Sequence, residues 1–185
     1  MIFGLFSKKN DLLEAIQNKE FDEVSSLLEK ISEINETFSR PDNKDEGTWT
    51  YLLHACKFGN SKIVQLLLEN GADLNNKDSD GKSSLYWASC NEDGEESAKI
   101  CTFLIKKEMV VNDRAKDGRT ALFGAALNLQ NYNSLKVLLK AGADPNSQQN
   151  DGMTALFGAT MNENYKALEI LLKAGADPNL QTEEN

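Results

Sequence analysis

The chain is poor in the residues that build reactive centres. Among 185 residues it has one histidine, His54, and three cysteines, Cys56, Cys90 and Cys101. One imidazole and three scattered thiols form no ligand set by spacing, so neither a metal nor another cofactor is expected. For nucleophilic chemistry His54 would need a nucleophile and an orienting acid brought to it in space, and no motif announces either, so no catalytic residue is expected. An odd cysteine count without paired spacing argues against a disulfide framework and makes a cytoplasmic location the expectation. Prolines number only three, against a disordered, proline-rich chain. No apolar run approaches 18 residues, so nothing is expected to span a membrane. The opening MIFGLFSKKN is apolar but short and lacks basic residues ahead of its apolar part, which makes a weak signal peptide. Basic charge is also in deficit: the formal net charge is −9. An acidic surface repels phosphate backbones and anionic lipid, so neither nucleic acid nor a membrane is the expected partner. A basic protein would be steered favourably.

What the chain has is a period. DGRTALFGAALN at 117–128 is nearly restated as DGMTALFGATMN at 151–162. Each is followed by a second run, SLKVLLKAG at 134–142 and ALEILLKAG at 167–175. One unit is therefore a turn, a short helix, a tight loop, a second helix and a glycine. Thr120, Ala121, Leu122 and Ala125 place small and apolar residues on one face of the first helix; Leu135, Leu138 and Leu139 do so on the second. Helices under about 12 residues are marginal alone, so only stacking of neighbours buries these faces. Gly142 and Gly175 stand where a helix must stop, and left-handed backbone is expected there.

The units are uneven. Segments 48–75 and 81–112 follow the same plan, but the second has Glu108, Met109 and Val110 where the others read Gly-Ala-Asp. It also carries extra residues near Asn91–Glu96, expected to form an acidic protrusion that is either a contact site or a solvated loop. An extra residue is expected near 129–131. Segment 11–35 keeps the rhythm without the turn glycine, which suits a terminal cap, and 36–47 reads as a longer hairpin or loop. The expected organisation is an apolar lead-in at 1–10, one repeat domain at 11–179 (units 11–35, 48–75, 81–112, 118–146 and 152–179) and a polar tail at 180–185. The apolar start would cover the first repeat or engage a partner.

With these motifs laid out, the chain resembles an ankyrin repeat protein. D-G-x-T-x-L opens units at Asp117 and Asp151, and L-L-x-x-G-A-D-x-N closes them at Leu67–Asn75, Leu138–Asn146 and Leu171–Asn179. The resemblance implies an α-helical solenoid of stacked helix-turn-helix units joined by hairpin-like turns. Two features depart from the family: Tyr51, Ser84, Ala121 and Ala155 replace its proline, and Leu53, Tyr86, Phe123 and Phe157 replace its histidine. The turns are therefore expected to rely on packing and on Thr50, Ser83, Thr120 and Thr154. The asparagines and aspartates of the Gly-Ala-Asp turns are read as structural, bonding nearby turn backbone. The NEDGEE stretch lacks the spacing of a calcium loop.

The resemblance also implies function: a non-enzymatic protein-binding module that works through its concave side, made of hairpin tips and first helices. Carried onto this chain, that side comprises Trp49, Lys57 and Phe58; Asp80, Lys82, Trp87, Cys90 and Asn91; Lys116, Arg119, Leu127 and Asn128; and Asn150, Met153, Met161 and Asn162. Trp49, Phe58, Trp87, Leu127, Met153 and Met161 would form an apolar track flanked by cations, although Trp87 and Leu127 could equally pack between repeats. Replacing Trp49 and Phe58 would then weaken binding without unfolding the chain. An inhibitor or immunity-type protein that neutralises a basic enzyme is the narrower alternative. No polar capping unit follows Asn179, so a monomer or weak self-association through Leu168, Leu171 and Leu172 is expected.

Overall fold

The computed structural model describes residues 2–39, 48–129 and 132–182, with side chains from Lys9 onward. The chain forms α1 (Ile2–Gln17), α2 (Phe21–Leu28), β1 (Phe38–Ser39), β2 (Thr48–Trp49), α3 (Tyr51–Phe58), α4 (Ser61–Glu69), α5 (Ser84–Ser89), α6 (Gly94–Lys106), α7 (Ala121–Leu127), α8 (Tyr132–Lys140), α9 (Ala155–Met161) and α10 (Tyr165–Lys173). First helices stack in a row: α1 on α3, then α5, α7 and α9. Second helices stack behind them, from α2 through α4, α6 and α8 to α10. The result is a helical solenoid with one continuous apolar core.

The sequence pattern explains why these short helices persist. Ala55, Ala88, Ala125 and Ala159 sit at the centre of α3, α5, α7 and α9, at most 1% exposed, and let neighbouring backbones approach closely. Behind them Val64, Cys101 and Leu135 are sealed under the next pair. Thr50, Ser83 and Thr154 accept hydrogen bonds from Leu53, Tyr86 and Phe157 N–H at 3.3–3.4 Å, capping α3, α5 and α9 as anticipated. Thr120 differs, because its side chain makes no cap bond. β1 and β2 pair antiparallel, Phe38 against Trp49 and Ser39 against Thr48; residues 40–47 lie outside those described.

The helix stops follow the expected physics. Gly71, Gly142 and Gly175 have φ of 90–91°. A Cβ at any of them would meet nothing within 4 Å, so the requirement is purely conformational. In the unit that lost Gly-Ala-Asp, Glu108 adopts the same backbone, with φ 64°. Its N–H bonds Ile105 O at 2.9 Å and closes the same wrap. A side chain in left-handed backbone costs about 1–2 kcal/mol, partly offset because glycine loses more entropy on folding. Glu108→Gly is therefore expected to stabilise the protein by about 0.5–1 kcal/mol, read as a higher melting temperature. An unchanged or lower value would contradict the strain argument.

One expectation needs correction, and two others fall on residues described only in part. The backbone of α1 runs through residue 10; the side chains of residues 2–8 lie outside those described. The acidic protrusion is absent: the extra residues lengthen α6 to 13 residues, against nine in α8. Asp93 caps that helix by accepting from Glu96 N–H at 3.1 Å, and Glu96 accepts from Ser61 N–H at 2.7 Å at the start of α4. The Glu96 N–H, then the Lys19 ammonium, hold the Asp93 carboxyl below its ordinary value. Acidic side chains satisfy a helix N-terminus, which is why they cluster here. The extra residue anticipated near 129–131 falls partly on 130–131, outside the described residues.

Candidate functional site

The hairpin tips and first helices form one side of the solenoid, and each anticipated site residue can now be placed on it. Trp49 is 0% exposed and Trp87 5%. Their rings meet at 4.3 Å between centroids, with Phe58 and His54 each 6.3 Å from Trp49. The Trp87 Nε1–H donates to Asp78 Oδ2 at 3.0 Å. Asp78 is itself buried and also accepts from Asp80 N–H and Lys82 N–H. Both tryptophans are thus core residues, which corrects the expected apolar track: it is interrupted at Trp49 and Trp87. Phe58, Leu127 and Met153 are half-buried, and Met161 is 64% exposed. His54 packs among Phe38, Trp49 and Phe58.

The cations are positioned by neighbours. Lys57 Nζ lies 4.7–5.5 Å from the ring centroids of Trp49, Phe58 and Trp87. Lys82 is half-buried and pairs with Asp80 at 3.1 Å. Arg119 pairs with Asp117 at 3.3 Å and lies over the Phe123 ring at 5.4 Å. Lys116 is exposed and donates to Ser79 O at 2.7 Å.

The asparagines hold the stack. Asn91 is 2% exposed and donates to Cys56 O and Gly59 O at 3.0 and 3.2 Å. Asn128 donates to Asn91 O at 3.1 Å and Asn162 to Leu127 O at 2.8 Å, each reaching the preceding repeat. Asn91, expected to contact a partner, is therefore a buried structural residue. At the other end of each unit a second ladder appears. Asn35, Asn112 and Asn146 each donate to a glycine carbonyl of the next repeat (Gly71, Gly142, Gly175) and accept from Asp73, Asp144 or Asp177 N–H, at 2.7–3.1 Å. The aspartates cap their own turns, as anticipated; the asparagines instead reach across repeats.

A groove opens on this side. Cys90, Glu92, Gly124, Leu127, Asn128 and Leu129 line a hollow of about 460 Å³. Gly124 is the residue that sequence reasoning missed. Its slot in the first helix holds His54 and Trp87 in the two earlier units, then Gly124 and Gly158. The face therefore changes from ring-filled to bare at α7. A methyl group at 124 would lie 2.6 Å from Ser89 Oγ and 2.9 Å from Cys90 Sγ. The signal was visible as F-G-A at 123–125, but only the neighbouring helix shows what the missing side chain accommodates.

The thiols carry no sign of chemistry. Burial pushes Cys101 up to about 12 and Cys56 further still, from an ordinary 9.0. Cys90, at the groove wall, is also raised, first by burial. A raised thiol pKa keeps the nucleophilic thiolate scarce at neutral pH. The unfolded chain releases these protons first, so stability is intact below about pH 9 and falls above it, by about 1.4 kcal/mol per pH unit for each buried thiol. Urea unfolding at pH 8 and pH 10.5 should show this loss, and Cys56→Ser should flatten it. Among the described residues no group of three His, Cys, Asp or Glu could hold a metal ion. Likewise no described helix is long and apolar enough to cross a membrane.

Comparison with known proteins agrees with this architecture. A family model of ankyrin repeats (three copies) matches residues 12–115, 80–149 and 97–182. Over 62 residues, 34% of this chain, the sequence is 39% identical to the human 2-5A-dependent ribonuclease, and the match spans 8% of that protein's length. Ankyrin repeats serve as non-catalytic modules for protein–protein interaction. By its paired helices, its recurrent Gly-Ala-Asp turns and a family match running through nearly the whole solenoid, this chain belongs to the ankyrin-repeat family.

Proposed function

We propose that the protein binds a basic protein partner through the side formed by its hairpin tips and first helices, centred on the groove at Gly124. The carrying observation is that groove: a hollow with apolar walls at Leu127 and Leu129, a glycine floor and the exposed Glu92 at its edge. An apolar side chain of the partner enters beside Leu127 while a basic neighbour faces Glu92. Lys82 and Arg119 do not oppose this, because each is paired with an aspartate of its own hairpin. The net charge of −9 steers a basic partner toward the surface. Phe58, Met153 and Met161 extend the contact along the same side. The three free thiols suit a reducing compartment, the cytoplasm. An inhibitor or immunity-type role is the narrower form of this reading, in which the partner is an enzyme silenced by the complex.

The test compares the native protein with Leu127→Glu as bait in a pull-down at low and high salt. Leu127 is half-buried at the groove wall, so thermal melts of both baits accompany the experiment. A basic protein retained by the native bait, lost with Leu127→Glu and weakened by salt supports the reading. Equal retention by a folded variant would refute the groove as the site.

A further inference from the structure

The second helices carry a charge opposite to that of the whole chain. α4, α6, α8 and α10 hold seven lysines and four glutamates, a balance of +3 in a protein whose formal net charge is −9. Three of the glutamates are occupied on their own helices. Glu95 and Glu96 pair with Lys99 at 2.7 and 3.0 Å, and Glu169 pairs with Lys166 and Lys173 at 2.7 and 2.6 Å. Lys106, Lys136 and Lys140 are exposed, and none of them has an ion pair among the described residues.

A hollow lies beside these three lysines. Six residues of α6 and Asn133 of α8 line a space of about 390 Å³. Ala98 and Phe103, both half-buried, give it apolar walls, and the Thr102 hydroxyl between them donates to Ala98 O at 2.7 Å. Lys99 and Lys106 also line it, seven residues and so about 10 Å apart along the helix. Lys107 Nζ stands 5.7 Å from the centroid of the Phe103 ring. Lys136 and Lys140 follow Asn133 by three and seven residues, on one face of α8. Glu95, the carboxylate in the lining, is held by Lys99. α6 and α8 have second helices packed on both sides, α4 before and α10 after, so this is a flank of the stack and not an end face.

These features specify an occupant. An apolar side chain fills the space against Phe103, and carboxylates answer the lysines around it. Exposed charges act over about 8 Å at physiological salt, and beyond that distance the acidic chain repels polyanions. A short acidic segment stays within that reach, whereas a nucleic acid or an anionic bilayer brings charge far outside it.

We propose that the hollow between α6 and α8 is a second docking site, for an acidic protein segment that seats one apolar side chain against Phe103 and lays carboxylates on Lys106, Lys136 and Lys140. The chain then joins a basic partner on its first-helix side to an acidic one on its second-helix side. The two surfaces share no residue, so the failure of either leaves the other standing.

The experiment titrates the full-length, ¹⁵N-labelled chain with an eight-residue synthetic peptide of glutamates around one central phenylalanine. Saturable amide shifts are expected in residues 95–106 and 133–140. The double variant Lys106→Glu, Lys136→Glu should weaken binding by about tenfold or more. Both positions are exposed, and thermal melts confirm that the variant keeps its fold. A peptide with serine in place of its phenylalanine should bind at least about fivefold more weakly, and one with lysines in place of its glutamates should cause no shifts here. Absence of shifts, shifts elsewhere, or equal affinity for the charge-reversed variant or the serine peptide would overturn the proposal. So would tighter binding of an RNA oligomer or of phosphatidylserine vesicles at these residues. Sedimentation showing that the chain alone associates through this face would overturn it too, since the occupant would then be a second copy.

Discussion

Trp49→Ala is expected to cost about 3–5 kcal/mol of folding stability, a large share of the roughly 5–15 kcal/mol available to a domain. Trp49 has no exposed surface, so truncation leaves a cavity that its neighbours must line. The loss reaches in three directions. The indole meets that of Trp87 in a tilted pair at 4.3 Å between centroids, joining two repeats. It lies in β2 and pairs with Phe38, which ties the hairpin to the stack. It also forms part of the ring cluster under Lys57. Phe58→Ala, at a half-buried position, should cost less, about 1–2 kcal/mol. Urea unfolding followed by circular dichroism separates the two. A loss for Trp49→Ala below about 1 kcal/mol would return that residue to the surface role its sequence position first implied.

Asn164→Ala should cost about 2–4 kcal/mol, more than its conservative size suggests. Asn164 is 2% exposed and performs two tasks with one amide. Its Oδ1 accepts from Ala167 N–H at 3.1 Å and caps α10. Its Nδ2 donates to Ala126 O and Asn128 O, at 3.2 and 3.0 Å, in the preceding repeat. Alanine removes the cap and strips buried carbonyls of a donor, and an unsatisfied buried acceptor costs more than the bond was worth. Asn162→Ala is the internal comparison: an exposed asparagine with one bond to Leu127 O, expected to cost under about 1 kcal/mol. Equal urea midpoints for the two variants would contradict the argument.

The contrast between these asparagines shows where sequence reading runs out. Asn91, Asn162 and Asn164 all follow first helices and look alike in a motif. Burial distinguishes them, and burial depends on which repeat lies alongside. The tryptophans teach the same lesson. Trp49 was expected on the outer track and Trp87 either there or between repeats, yet the two rings meet at 4.3 Å and Phe58 stacks on Trp49. The acidic run at 92–96 read as a protrusion because loops tolerate insertions. Its residues 94–96 became the first turn of α6, with Asp93 capping that turn through the Glu96 N–H.

The order of turns and helices, the stops at Gly71, Gly142 and Gly175 and the need to stack were determined by sequence alone. They follow from local backbone preference and from apolar faces too small to stand unaided. The placement of side chains on the working surface was decided only by tertiary structure. Whether Gly124 floors a groove and whether Trp49 meets solvent depend on side chains of other helices and of the neighbouring repeat. No local pattern can encode how a neighbour fills the space beside it.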